Sequence, residues 1–200
     1  MSETPDTNDA SGARVLFPLF LDVTGRRVLV VGGGTIAGRK ALDFVEAKAD
    51  VHVVAPAVSA EVEGAALTID RRAFEERDIE GAWLVIAATD DPAVQRRIAA
   101  ACEAARIFCV AVDDPPNASA YGGAILRRGP VTIAISTSGE APALARLLRE
   151  VLEQALPDEG WVDAARALRE RWKTDKTPMA SRFGELVAAF KERSTKPSQR

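Results

Sequence analysis

Gly32-Gly33-Gly34-Thr35-Ile36-Ala37 fits the spacing G-x-G-x-x-A, a pattern by which a strand–turn–helix holds the pyrophosphate of a dinucleotide. Gly32 permits a tight turn. Gly34 removes a side chain so that backbone can approach phosphate, and Ala37 is small enough for a helix to lie against a strand. The helix start would add unpaired N–H groups and a partial positive charge. The same glycines also suit a turn that is merely structural. Asp113 closes an apolar stretch. It has the chemistry of a general base if it stands at the carboxyl end of a parallel strand, where α/β sheets present ligand sites. An Asx turn ahead of Pro115 is the other use for it. An acid normally ends the second strand of such folds and holds the adenosine ribose. Here that place reads Val53-Val54-Ala55-Pro56, so backbone around Pro56 and Ala57 is left to do the work, and NAD and NADP are not separated. His52 is the only histidine; it alternates with Val51 and Val53 and reads as structural. Cys102 and Cys109 make no disulfide framework, and no Cys/His cluster has zinc spacing.

Alternating elements position these groups. Residues 27–31 are a β-branched run ending in the glycines, as a buried parallel strand does. Ile36, Ala37, Ala41, Phe44, Val45 and Lys48 follow helical spacing. Residues 51–55 form a second strand, residues 67–71 a third, and residues 74–79 a short turn or helix. Residues 83–88 read as a buried strand from Trp83 onward. Thr89-Asp90-Asp91-Pro92 then supplies an N-cap acid and a first-turn proline for a helix marked by Val94, Ile98, Cys102 and Ala105. Residues 107–112 are the next strand. This alternation predicts an α/β fold with a parallel sheet and right-handed crossovers. After Asp113 the pattern changes. Residues 119–126 and 130–136 are strand-like and joined by Arg127-Arg128-Gly129, which predicts a hairpin. Ser136-Thr137-Ser138-Gly139 is a polar turn. Pro142 opens an amphipathic helix closed by Pro157. Two helical stretches follow, residues 160–172 and 178–191, whose apolar stripes suit a core or a subunit interface.

Composition bounds the rest. The 200 residues carry 47% hydrophobic and 28% charged side chains and a net charge of −3, ordinary for a globular protein. No apolar run approaches the roughly 20 residues of a membrane span, and no secretion signal is evident; the expectation is a cytoplasmic protein. Residues 1–13 are acidic and polar, as in a disordered tail, and residues 195–200 should fray. Residues 121–200 carry +4, so an anionic ligand suits that half. Basic residues there alternate with acids, which argues against nucleic acid.

Four motifs in order resemble one family. Gly32 to Lys40 looks like its G-G-G-x-V-A-x-R-K start, and Ala87-Ala88-Thr89-Asp90-Asp91 like its A-A-T-D-D strand end. Residues 107–113 resemble its strand leading to V-D, and Ser136 to Arg149 its S-x-x-G-x-x-P-x-L-A-R-x-L-R block. The chain is thereby identified as a member of the precorrin-2 dehydrogenase/sirohydrochlorin ferrochelatase family, over about residues 14–190.

The resemblance implies a Rossmann-type NAD-binding domain (14–114), a central dimerisation region with a β-hairpin and helix (115–156), and a small helical C-terminal domain (157–194). It implies a homodimer that oxidises precorrin-2 to sirohydrochlorin with NAD. In some members ferrous iron is then inserted as a further substrate. Gly32, Gly34, Thr35, Ile36, Pro56, Ala57, Thr89 and Asp90 would contact NAD, and Asp113 falls on the family's catalytic aspartate. Arg127, Arg128, Arg146 and Arg149 are candidate partners for the carboxylates of the tetrapyrrole. Ser136, Thr137, Ser138 and Gly139 would hold another carboxylate or cap the helix that follows. No resident metal is expected, because the tetrapyrrole nitrogens are the main iron ligands. The methyltransferase module of some siroheme synthases is expected to be absent. After Ser119 the family often reads F-x-x-P, whereas this chain has Ala120-Tyr121-Gly122-Gly123, a change of loop stiffness near the expected substrate cleft. Against this stand an unrelated NAD-dependent dehydrogenase, whose Tyr-x-x-x-Lys is missing around Tyr121, and a non-catalytic NAD-sensing module, which would not need Asp113.

Overall fold

The computed structural model describes residues 15–65, 68–156 and 160–194. The expected tails, Leu67 and Pro157 lie outside these. The chain divides into two compact units: residues up to Gly122 with Ser138–Glu140, and Gly123–Thr137 with residues from Ala141 onward.

The first unit is a five-stranded parallel sheet in the order β3-β2-β1-β4-β5. Its strands are β1 (Arg27–Val31), β2 (Asp50–Val54), β3 (Thr68–Asp70), β4 (Leu84–Ala87) and β5 (Phe108–Ala111). The expected Rossmann-type α/β architecture is what the chain adopts. Period-2 alternation divides the sheet residues between two cores. Val28, Val30, Val51, Val53, Leu84 and Ile86 pack with Ala37 and Ala41 of α1 (Thr35–Glu46). Leu29, Val31, Val85 and Ala87 pack with Ile98 and Cys102 of α3 (Pro92–Ala105). Strands covered on both faces need apolar residues throughout, and Val28 to Val30 are fully buried.

Several elements differ from the sequence reading. Trp83 is 55% exposed and precedes its strand; the Arg26 guanidinium stacks 3.9 Å from its ring centroid. α1 ends at Glu46, and Lys48 takes φ 60 in the turn beyond it. A short helix that the sequence does not signal, α2 (Ala60–Ala65), buries Val62. It owes its place to Gly38, where a β-carbon would stand 2.7 Å from Glu61 Cβ. His52 is half-buried in β2 with Nε2 3.1 Å from Asp50 Oδ2, as a structural residue would be.

The second unit contains the antiparallel hairpin β6 (Ala124–Arg128) and β7 (Val131–Ile135), then α4 (Pro142–Ala155), α5 (Gly160–Thr174) and α6 (Met179–Ser194). Arg127 and Arg128 belong to the strand rather than to the turn. Arg128 pairs with Val131, leaving Gly129-Pro130 as the connection. Gly129 at φ 54 ahead of a proline gives the sign pattern of a type II′ turn. Trp161 meets Phe190 edge-on with centroids 6.2 Å apart, and Trp172 Nε1 donates to Glu185 at 2.9 Å.

One buried charge anchors the strand crossing to β4. Asp78 is 6% exposed in the 3-10 turn Glu76–Ile79. It accepts from Arg72 at 2.6 and 2.8 Å and from the Glu75 N–H at 2.8 Å. The Arg72 guanidinium, foremost, holds its carboxyl below the usual carboxylate range. A depressed folded pKa means stability that is present above about pH 4 and lost as pH falls through the folded value. Asp78→Ala should therefore lower the unfolding free energy at pH 7 by about 2–4 kcal/mol, with a deficit that shrinks in acid. Denaturant unfolding across pH checks this, and a deficit that stays constant down to pH 2–3 would contradict it.

Candidate active site

The carboxyl ends of β1, β2, β4 and β5 open on a cleft of about 1040 Å³, large for a small-molecule site. Strand order reverses between β1 and β4, and ligands of open α/β sheets bind at such a switch point. Gly32, Gly34, Thr35, Ile36, Pro56, Ala57, Thr89, Asp90 and Asp113 all line this cleft.

Each glycine of the turn has its own reason. Gly32 has φ 136, and a β-carbon there would lie 2.0 Å from the Ala88 carbonyl oxygen. One on Gly33 would lie 1.8 Å from the Ala57 carbonyl oxygen. Gly33 stands at a variable place of the G-x-G-x-x-A spacing, so that spacing does not call for it, and only the G-G-G start of the resembled family includes it. A β-carbon on Gly34 would meet nothing within 4 Å. The protein itself does not require glycine there, and the space it leaves opens onto the cleft.

Gly34 also caps α1 without a side-chain hydrogen bond, and the first turn of α1 holds no acid. The free N–H groups and positive end of the helix are thus uncompensated, which suits an anion. α3 is different. Asp91 accepts from Ala93 N at 2.8 Å and Val94 N at 3.3 Å, so that helix start is already satisfied. The dinucleotide fits the first helix and its open glycine. At the end of β2 only backbone is available, since Asp70 on the next strand is bound by Arg72 at 3.2 Å. Arg96 is the one cationic side chain among the described lining residues.

Asp113 stands just beyond β5 at φ 54, exposed in the cleft. Its carboxylate has no hydrogen bond or ion pair to any described residue. The adjacent acid carries the loop instead: Asn117 Nδ2 donates to Asp114 Oδ2 at 2.6 Å.

The expected substrate residues are more dispersed. Ser138 (φ 55) and Gly139 (φ 85) make consecutive left-handed turns. A β-carbon on Gly139 would lie 3.3 Å from Pro115 Cγ, on the loop that follows Asp113. Thr137 Oγ1 accepts from Ala141 N at 3.2 Å, a capping use. Ser136, Arg127 and Arg146 belong to the second unit. Arg127 is exposed on β6, and Arg146 pairs with Glu150 at 3.0 Å. Arg149 pairs with Glu153 at 2.8 Å. Arg128 donates to the carbonyls of Glu153, at 2.9 Å, and Leu156, so its fork closes the end of α4. No group of three or more His, Cys, Asp or Glu among the described residues could hold a metal ion.

Comparison with known proteins bears on this arrangement. Residues 19–124 match a family described as "Putative NAD(P)-binding", and residues 128–155 match one described as "Sirohaem biosynthesis protein central". A protein named siroheme synthase from Citrobacter koseri is 44% identical over 144 residues, covering 70% of this chain and 32% of its own length. Its namesake from Escherichia coli O139:H28 is 43% identical with the same coverage. A solved structure of "SirC, precorrin-2 dehydrogenase" superposes with a TM-score of 0.67 at 27% identity, covering 86% of this chain and 88% of that one. The chain thus spans about a third of the length of the siroheme synthases it matches. These matches agree with the resemblance drawn from the four motifs.

The glycine geometry separates folding from binding. Gly33→Ala should fail to fold or lose about 3 kcal/mol or more, because backbone must move. Gly34→Ala should keep its melting temperature within a few degrees and weaken NAD binding about tenfold or more. Thermal melts and titrations of NADH fluorescence check both. Equal damage to stability from the two alanines would contradict the assignment.

Proposed function

This chain belongs to the NAD(P)-binding family matched by residues 19–124, and on that premise we propose that it oxidises precorrin-2 to sirohydrochlorin in siroheme biosynthesis. The observation that carries the reading is the convergence on one cleft of Gly34, the bare start of α1 and Asp113, a carboxylate that no described residue engages. Bound NAD supplies the hydride acceptor. Gly32, Gly34, Thr35 and Ile36 hold its pyrophosphate, with Pro56, Ala57, Thr89 and Asp90 as the remaining contacts. NAD rather than NADP is the cofactor of this reading, although the end of β2 offers neither an acid nor an arginine to choose between them.

Asp113 accepts the proton that the macrocycle loses as it is oxidised. Among the described residues no cation pairs with its carboxylate, which leaves the group available for that role. Arg127, Arg146 and the turn Ser136–Gly139 hold carboxylates of the tetrapyrrole, Arg146 by exchanging its Glu150 partner. Such remote contacts orient the ring for reaction. Ferrous iron is a second substrate: Asp113 would also take the pyrrole protons released when the metal enters, one after the other, passing each to water, to give siroheme.

The protein acts as a cytoplasmic homodimer. No helix of the described residues is long and apolar enough to cross a membrane. α4 leaves Leu144, Leu147, Leu148 and Val151 each 40–55% exposed, one stripe at i, i+3, i+4, i+7 spacing. A second copy of the chain would cover it.

Asp113→Ala should bind NAD within about twofold of the parent and lose precorrin-2 turnover by about 10²–10⁴. Anaerobic absorbance of sirohydrochlorin, with NAD titration alongside, checks this; normal turnover would refute the assigned base. Leu147→Asp should shift the protein from dimer to monomer in light scattering, because a charge would be buried at the interface. A dimer that tolerates the aspartate would exclude α4 as the interface.

A further inference from the structure

Gln95 is polar yet only 5% exposed. It lies in the first turns of α3 and lines the cleft. Its Nε2 donates to the Val112 carbonyl oxygen at 2.9 Å. Its Oε1 is buried without a partner among the described residues. Buried polar atoms are paired as a rule, and an orphaned one calls for an explanation.

The bonded carbonyl explains it. Val112 immediately precedes Asp113, whose φ of 54 is a left-handed conformation uncommon for a residue with a β-carbon and one that local hydrogen bonds help to fix. The Val112 N–H is held by the Ala87 carbonyl at 2.9 Å, and its carbonyl is held by Gln95. Both ends of the residue are thus fixed before the chain turns, and Asp114 is fixed just after it through Asn117. The Asp113 side chain, between these ties, is held by no described residue.

We propose that Gln95 is a positioning residue: by holding the Val112 carbonyl it sets the left-handed turn that presents Asp113 to the cleft. The inference rests on the reading of Asp113 as proton acceptor. A side chain kept for stability would have both amide atoms satisfied, whereas here the unpaired oxygen offsets what the paired nitrogen contributes. Gln95→Leu removes the bond and the orphan together. It should therefore leave the melting temperature within a few degrees and release the peptide that carries Asp113.

The test combines hydrogen exchange on the apo protein with anaerobic turnover of precorrin-2 and NAD. In Gln95→Leu, exchange over residues 112–117 should quicken about tenfold or more. kcat should fall about ten- to a hundredfold, as a misplaced catalytic group costs, with KM and NAD affinity within about threefold. Gln95→Met is read in the same way if the leucine variant does not fold. Gln95→Glu adds a pH signature. An ionised carboxylate cannot donate to the Val112 carbonyl, but a protonated one can, so its kcat relative to the parent should rise as pH falls. Parental exchange in the leucine or methionine variant overturns the inference, and so does fast exchange with parental kcat. A parent that does not turn over precorrin-2 refutes the proposed function instead, and exchange alone then decides whether Gln95 holds the turn.

Discussion

The site depends on how closely three backbone segments can approach one another. At the carboxyl end of β1 the chain turns between the carbonyls of Ala88 and Ala57, at distances that no β-carbon could occupy. Gly32 and Gly33 make this approach possible. It places the start of α1 at the mouth of the sheet, where the ends of β2 and β4 also arrive. Without it, α1 would stand away from the sheet and the cleft would have no floor. Gly34 differs because the protein makes no steric demand on it, and its freedom is of use only to something that enters the cleft.

Electrostatics then divide the cleft. One helix start is left uncapped and free of acids, while the other is closed by Asp91. An anion is drawn to the first and not to the second. The acid nearest the end of β5 makes no ion pair with a described residue, and its neighbour Asp114 holds the loop. This separation of a loop-holding aspartate from one that no described residue engages suits Asp113 to the proposed proton transfer. The arginines of the second unit show the contrary habit. Arg128 closes a helix, and Arg146 and Arg149 are engaged by glutamates on their own helix.

Much of this was legible in the residues. The apolar strand runs, the glycine spacing and the Asp91-Pro92 helix start all act locally, so their spacing alone reveals them. Asp113 is legible as an acid that follows an apolar strand run, and the structure places it just beyond β5 on the cleft. Features made by long-range packing were not legible. α2 has too few residues to display a period and forms because Val62 and Glu61 settle against Gly38. Gly33 serves a contact with residue 57, and Gln95 reaches a carbonyl seventeen positions on; neither contact has a local signature. Trp83 misled because its indole continues an apolar run, yet it lies outside the sheet beneath an arginine. Arg128 resembled a ligand for carboxylates, and the carbonyls it binds become visible only once α4 is folded back on the hairpin.

A nicotinamide nucleotide lying in the cleft between the turn after β1 and the end of β5 is the premise of the proposed chemistry. Hydrogen exchange of the protein with and without saturating NAD tests it most directly. Slowed exchange confined to residues 33–37, 55–58, 88–90 and 112–114 is the expected result. Saturating NAD that leaves those segments unprotected, or protects a different face of the molecule, would contradict it.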